Sequence, residues 1–276
     1  MIIEALETSC HITNLTSQLS CNGIYNNAIN FLNQSQQLIT LHRQGKGLSP
    51  MGWVLANNDF NFVAQHTQLN SMMSCHEGQL TIQPSINVVC QYHTNLTVPP
   101  APFDHFKVLE KLLLVLPKTT LTGLYGALCN YQQTILLEDN CELIETFSQW
   151  LNGEQINWEN YIGKGPGLTP SSDDMLTGML FVAYACYKEK IQSLVPFFKG
   201  TPDLSLLTTS VSKNYLYYAS QSIFSSYLIK LANQLANNEV SLHTLFELLD
   251  VGHHSGADTL LGIILGCHAI KNSYCA

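Results

Sequence analysis

Residues 98–116 read VPPAPFDHFKVLEKLLLVL, and the change of pattern inside that stretch decides the fold class. Pro99, Pro100 and Pro102 can continue neither a helix nor a strand ladder, because each lacks a backbone N–H and fixes φ. Directly afterwards Phe103, Phe106, Leu109, Leu112, Leu113 and Leu116 recur at helical spacing. Before the prolines the chain is short-paced and β-branched, in QLITLHRQGKGLSPMGWVLA (37–56), FNFVAQH (60–66) and QLTIQPSINVVCQY (79–92), with Gly and Pro breaks between. After them, CELIETFSQWL, KNYLYYASQSIFSSYLIKLANQL and SLHTLFELLD carry apolar stripes every three or four residues. The expectation is an α+β fold, with a strand-rich portion over 1–100 and a mainly helical portion over 101–276. Segregation without βαβ alternation weighs against a dinucleotide-binding sheet.

Composition narrows the class of function. With 276 residues and 46% hydrophobic content the chain can bury a sizeable core. Its net charge of −8, without a basic run, excludes a phosphate-backbone footprint, so no nucleic-acid partner is expected. The longest apolar runs fall short of the roughly 20 residues a membrane span needs, so no membrane partner is expected either. Nine cysteines without a CxxC pair, and no leader-like start, point to the cytoplasm and to unpaired thiols. Arg43 is the only arginine, so an anion bound here depends on backbone N–H groups, lysine, a metal or another chain.

Chemistry concentrates in GKGPGLTPSSDDMLTG, residues 163–178, which runs into the apolar MLFVAYACY. Ser171 and Asp174 match the Ser-x-x-Asp capping box, so a helix is expected to start near Ser171. The same device returns in GHHSGADTLLGII, and the two segments align as S-x-x-D-x-L-x-G: Ser171, Asp174, Leu176, Gly178 beside Ser255, Asp258, Leu260, Gly262. A mid-helix glycine costs about 0.5–1 kcal/mol relative to alanine, so Gly178 and Gly262 imply close backbone approach. The two helices are therefore expected to cross there and to bring Asp173, Asp174, His253, His254 and Asp258 together. Capping and packing alone would explain each segment singly; they do not explain the repetition or the second carboxylate.

A glycine-rich loop feeding a helix is a common anion cradle, here formed by Gly163, Lys164, Gly165, Gly167, Thr169 and Ser171, with Ser255 and Gly256 from the second segment. The aspartates oppose that use. A carboxylate about 4 Å from an anion is repelled by about 4 kcal/mol at an effective dielectric near 20, against about 0.3–1 kcal/mol returned by a helix terminus. Three arrangements remove the conflict: Mg²⁺ held by Asp173 and Asp174, the cation of Lys164, or a ligand whose amide N–H groups face the aspartates. The third suits a ureide or carbamoyl compound. Imidazole as a group can exchange protons near neutral pH, which makes His253 and His254 candidates for proton transfer. RQGKGLSPMG (43–52) echoes the central loop and offers Arg43 and Lys46 to an anion, or else is a plain hairpin turn. TTSVSKNYLYYAS, with Thr208, Thr209, Ser212 and Lys213, reads as a hydroxyl-capped helix start.

The central segment resembles the pattern G-x-G-x-G-L-T-P-S-G-D-D-x-L-x-G, and GHHSGADTLLG resembles G-H-S-S-G-x-D-x-L-x-G, of the bacterial family that includes AllH, a subunit of oxamate carbamoyltransferase in anaerobic allantoin breakdown. The match covers Gly163, Gly165, Gly167, Leu168, Thr169, Pro170, Ser171, Asp173, Asp174, Leu176 and Gly178, then Gly252, His253, Ser255, Gly256, Asp258 and Gly262. YNNAINF near the N-terminus and TTSVSKNYL extend it over most of the chain. Ser172 stands where that family has glycine, and His254 where it has serine. The resemblance implies a purine-degradation transferase that converts oxalurate and phosphate to oxamate and carbamoyl phosphate together with other subunits. It does not show which subunit holds the chemistry; with a single arginine in the chain, the favoured pocket is completed by a partner chain or by Mg²⁺, with Asp173, Asp174, His253, His254 and Asp258 as its chemical groups. A non-catalytic assembly or regulatory subunit that binds a metabolite is the competing reading. A small-molecule kinase, suggested by GLTPSS alone, ranks last because no second kinase element is apparent.

Overall fold

The computed structural model describes residues 1–83 and 86–274. They cluster into two compact units, one of Met1–Thr97 with Phe224–Tyr227, the other of Val98–Ile223 and the chain from Leu228 onward. Strand-rich and helical portions follow one another in the chain, giving the α+β class.

The first unit holds ten strands among the described residues: β1 (Ile2–Glu4), β2 (Glu7–Ser9), β3 (Ser17–Ile24), β4 (Ala28–Asn33), β5 (Leu38–Arg43), β6 (Gly52–Leu55), β7 (Met72–His76), β8 (Gln79–Gln83), β9 (Ile86–Val89) and β10 (His93–Thr94). They form one sheet in the order β1-β9-β8-β7-β3-β4-β5-β6-β2-β10. The pairs β1/β9, β5/β6 and β2/β10 are parallel, and the others antiparallel. Burial follows this pairing. In β3, Leu19, Cys21 and Gly23 are buried between more exposed neighbours, as in a strand with one wet face, whereas β6 is buried throughout.

Two local expectations fail in this unit. FNFVAQH lies in helix α1 (Asn57–His66), not in a strand, with Phe60 and Val63 buried one turn apart and Phe62 stacked on His66. RQGKGLSPMG joins two parallel strands, β5 and β6, and so cannot be a hairpin. Its return depends on Gly47, which has φ +72° and where a Cβ would lie 2.4 Å from the Tyr227 ring.

The second unit contains α2 (Lys107–Leu114), a small hairpin of β11 (Leu121–Thr122) and β12 (Gly126–Ala127), then α3 (Tyr131–Thr134), α4 (Glu138–Leu151), α5 (Ser171–Gln192), α6 (Ser210–Ala219), α7 (Ser226–Asn237), α8 (Leu242–Leu249) and α9 (Ser255–Tyr274). The first residues of α7 group with the strand unit. After the prolines, Phe103–Phe106 form a 3₁₀ turn that leads into α2, and Phe106, Leu109, Leu113 and Leu116 are buried as their spacing requires. At the centre α5 packs on α9. Met175–Ala185 and Leu260–Ile264 are buried on all sides, which is why neither helix shows an amphipathic stripe. Helix α4 packs on α9, where Ser148 Oγ donates to Ala269 O at 2.9 Å. Among the described residues no helix is long and apolar enough to cross a membrane.

Candidate functional site

The crossing of α5 and α9 is built from glycine. A Cβ on Gly178 would lie 2.2 Å from Thr259 O, and one on Gly262 would lie 2.1 Å from Met175 O. Neither backbone can yield, so only glycine permits this approach. Contact at those positions brings the two helix starts together: the Thr169 and Ser255 hydroxyl oxygens are 2.7 Å apart. Gly123, between β11 and β12, covers the junction. Its N–H donates to Asp258 Oδ1 at 3.0 Å, and a Cβ there would lie 2.1 Å from Ser171 Oγ.

The carboxylates at these starts are not caps. Pro170 occupies the cap position of α5 without a side-chain bond, Ser171 is already helical, and Ser171 Oγ is buried with no partner at hydrogen-bond geometry. Asp258 turns to Gly123, 135 residues away in the chain. The Ser-x-x-Asp spacing therefore marks a tertiary joint, not a capping box.

Asp173 is the organiser of that joint. Fully buried, it accepts from Gly163 N–H at 2.7 Å and Ser172 Oγ at 3.3 Å through Oδ1, and from Thr208 Oγ1 at 2.5 Å and Ser212 Oγ at 2.6 Å through Oδ2. These bonds tie the glycine loop to the start of α6, where Thr209 caps by accepting from Ser212 N–H and donates to Leu168 O. Ser172 completes the stitching, accepting from Lys164 N–H at 2.8 Å while its own N–H donates to Lys164 O at 3.0 Å. At Gly163, φ is +79° and a Cβ would meet Leu207 O at 2.0 Å, so the loop requires glycine there.

Asp174 is in the opposite situation. Burial first, and then the charge of Asp258, hold its carboxyl well above the usual carboxylate range, although the Ser255 and Thr169 hydroxyls pull it down. Its Oδ2 is sealed from solvent and accepts no hydrogen bond, while the residue as a whole keeps some exposed surface. Burial also raises Asp258; the nearby Ser171 hydroxyl, the Gly123 amide and His254 oppose that. Burial thus raises both carboxyls, and the charge of Asp258 adds to the rise at Asp174. His254 donates from Nδ1 to Leu121 O at 3.0 Å, and exposed His253 stands edge-on to it at 4.3 Å between ring centres.

At the helix start three N–H groups are taken, that of Ser172 by Lys164 O and those of Asp173 and Asp174 by Pro170 O, which leaves the N–H of Ser171. Beside it, the N–H groups of Gly165, Gly167, Leu168 and Thr169 have no partner among the described residues, and Gly165–Leu168 is exposed. The amides that can face an anion are therefore those of the loop together with the first N–H of the helix. Gly256 serves packing, since a Cβ would lie 2.1 Å from Leu248 O. Arg43 belongs to the strand unit, where Nε donates to Asn26 O at 2.7 Å, a terminal nitrogen donates to Asn61 Oδ1 at 2.8 Å, and the guanidinium lies 4.4 Å over the Phe60 ring. The residues do not fit Mg²⁺ held by Asp173 and Asp174. Asp173 has both oxygens filled by donors, and no three His, Cys, Asp or Glu side chains converge among the described residues.

Sequence reasoning missed Gly123, which only its place in a two-strand hairpin could have flagged. It also missed a cleft of about 260 Å³ beside the α5 start, where Lys164 and Ser172 face α4 and Tyr161. Nothing in the spacing of α4 signals that cleft.

Residues 161–267 match the family of oxamate carbamoyltransferase subunit AllH, and residues 5–95 match the AllH family N-terminal domain. The first match contains every residue of the helix-start junction except Gly123. No solved structure matches this chain.

Proposed function

Because the chain belongs to the AllH family, we propose that it supplies the carbamoyl- and anion-binding part of an oxamate carbamoyltransferase complex, at the junction of α5 and α9. The reaction is phosphate attack on the carbamoyl carbon of oxalurate. The new C–O bond gives carbamoyl phosphate, the C–N bond breaks, and the leaving nitrogen takes a proton to become the amide of oxamate. The observation that carries this reading is the meeting of two glycine-flanked helix starts around Asp174 and Asp258, two carboxyls that burial, and at Asp174 also the charge of Asp258, keep protonated more readily than ordinary ones.

A neutral carboxyl removes the repulsion that made anion binding beside aspartates unfavourable, and it is a proton donor for a leaving nitrogen. Gly165, Gly167, Leu168 and Thr169 offer amide N–H groups to the anion, Lys164 a cation, Ser255 a hydroxyl, and His253 and His254 proton acceptors. Asp173 acts indirectly, by fixing the loop. One arginine, spent within the strand unit, leaves too few cations for carbamoyl phosphate, so another subunit completes the site. Asp174→Asn in the reconstituted complex is expected to abolish turnover while assembly persists. Unchanged turnover would remove the catalytic reading.

A second reading, an assembly or regulatory subunit, is favoured by one observation: Ser171 Oγ and Asp174 Oδ2 are sealed inside the junction. That reading predicts loss of assembly, not of chemistry, when the junction is disturbed.

A further inference from the structure

The turn between β11 and β12 separates two spaces. On one flank lies the junction, where the Gly123 N–H donates to both oxygens of Asp258, at 3.0 and 3.3 Å, and a Cβ at Gly123 would lie 2.1 Å from Ser171 Oγ and 3.3 Å from Asp258 Oδ2. On the other flank Leu124 and Tyr125 line the cleft of about 260 Å³, together with Ser172 and Met175 of α5. Tyr125 senses both sides. Burial holds its phenol above the ordinary range, and the charges of Asp139 at the cleft and Asp258 in the junction push it the same way.

What the turn covers is unsatisfied. Ser171 Oγ is buried directly beneath Gly123 with no partner at hydrogen-bond geometry, and Asp174 Oδ2 is sealed in the same junction without one. Buried polar atoms are nearly always paired, so two orphans in one junction point to a closed state that is not the binding state. The cover can move as a unit. Thr122 Oγ1 accepts from Tyr125 N–H at 2.9 Å and donates to Gly126 O at 3.0 Å, and Leu128 N–H donates to Thr120 O at 2.9 Å, so the turn keeps its shape through its own bonds. Its ties to the start of α9 are the Gly123 bond to Asp258 and the bond from His254 Nδ1 to Leu121 O. Leu121 and Leu124 are already exposed, so swinging the turn outward gives up little apolar burial, as in a segment that opens locally.

We propose that the β11–β12 turn is a gate between the cleft and the junction, in which the Gly123 N–H holds the place of a ligand amide N–H on Asp258. A ligand with a primary amide enters from the cleft, its NH₂ group takes Asp258 from Gly123, and the displaced turn uncovers Ser171 Oγ as a further partner. The gate rests on the reading of the junction as a carbamoyl-binding site, and it accounts for how groups sealed in the closed state are reached.

Amide hydrogen exchange of the full chain, followed by NMR at Gly123, tests the gate with two probes of similar size and equal charge: oxamate, and pyruvate, which has a methyl group where oxamate has NH₂. Without a probe, the Gly123 N–H is expected to exchange at least about a hundredfold faster than the amides of Leu180 and Leu265, both fully buried within α5 and α9. Saturating oxamate is expected to speed it about tenfold or more, and pyruvate to leave it unchanged. His254→Ala, which removes the other tie, is expected to speed it without a probe while Leu180 and Leu265 stay as protected as before. Gly123 exchanging as slowly as Leu180 and Leu265, no response to oxamate, an equal response to pyruvate, or an unchanged rate in His254→Ala would each overturn the gate. Turnover of Asp174→Asn in the reconstituted complex tests the carbamoyl reading separately. Lost turnover with an unresponsive Gly123 leaves that reading standing without the gate, and unchanged turnover with a responsive Gly123 leaves a gate over a junction that binds amides without catalysis.

Discussion

Asp173 and Asp174 are neighbours in sequence and opposites in physical state. Asp173 accepts from four donors, whereas Asp174 is part-buried beside a second acidic residue with one oxygen unpartnered. The difference is testable through the pH dependence of stability. A carboxyl whose folded pKa lies above its unfolded value of about 3.9 holds its proton more firmly when folded. Its penalty is absent below that unfolded value, grows as pH rises toward the folded pKa, and stays constant above it. Urea unfolding of wild type and Asp174→Asn across pH 4–8 should therefore show the variant gaining stability relative to wild type as pH rises. A difference that is flat in pH would contradict the raised carboxyl. In the same series Asp173→Asn turns an amide NH₂ donor toward donors, and its expected loss is about 1–3 kcal/mol or more.

At the scale of elements, α5 and α9 approach so closely that their backbones touch, and the energetic question is which glycine effect dominates. Replacing Gly262 by alanine gains about 0.5–1 kcal/mol in helix propensity. It also drives a Cβ to within 2.1 Å of Met175 O and 2.6 Å of Met175 Cα, atoms that cannot move without moving α5. Overpacking of that kind costs about 1–3 kcal/mol or more, so the net effect is destabilising and opens the junction as well. Gly262→Ala should lower the denaturation midpoint, and a variant as stable as wild type would mean the helices slide freely. This crossing was legible because two mid-helix glycines at equal distance from two aspartates have no local explanation. The helix of α1 was not legible, because ten residues with only Phe60 and Val63 facing inward carry too short a period to outweigh their aromatic, β-branched look. Likewise Ser171 to Asp174 reads as capping on spacing alone. Only the placement of Gly123, reached through a loop of no particular pattern, shows that the second carboxylate of the pair, Asp258, belongs to a tertiary contact.

For the whole molecule the deciding quantity is charge type rather than charge number. A net charge of −8 with one arginine leaves a candidate anion site that depends on loop amides, hydroxyls and Lys164. The proposed ligands, carbamoyl phosphate and oxalurate, are anions, and long-range repulsion by the chain would oppose their approach. A partner subunit that brings cations to the loop would remove that repulsion locally and would itself be drawn in by the same field. Association driven this way is screened once the Debye length falls from about 14 Å to about 4 Å, a change brought by raising salt from roughly 0.05 to 0.5 M. The association rate of this chain with its partner should then fall by about tenfold or more, with a smaller change in dissociation rate. Stopped-flow mixing at the two salt concentrations measures both rates. An association rate indifferent to salt would mean that the partner docks through apolar surface and contributes no cations, and the anion would then have to be held by Lys164 and backbone amides alone.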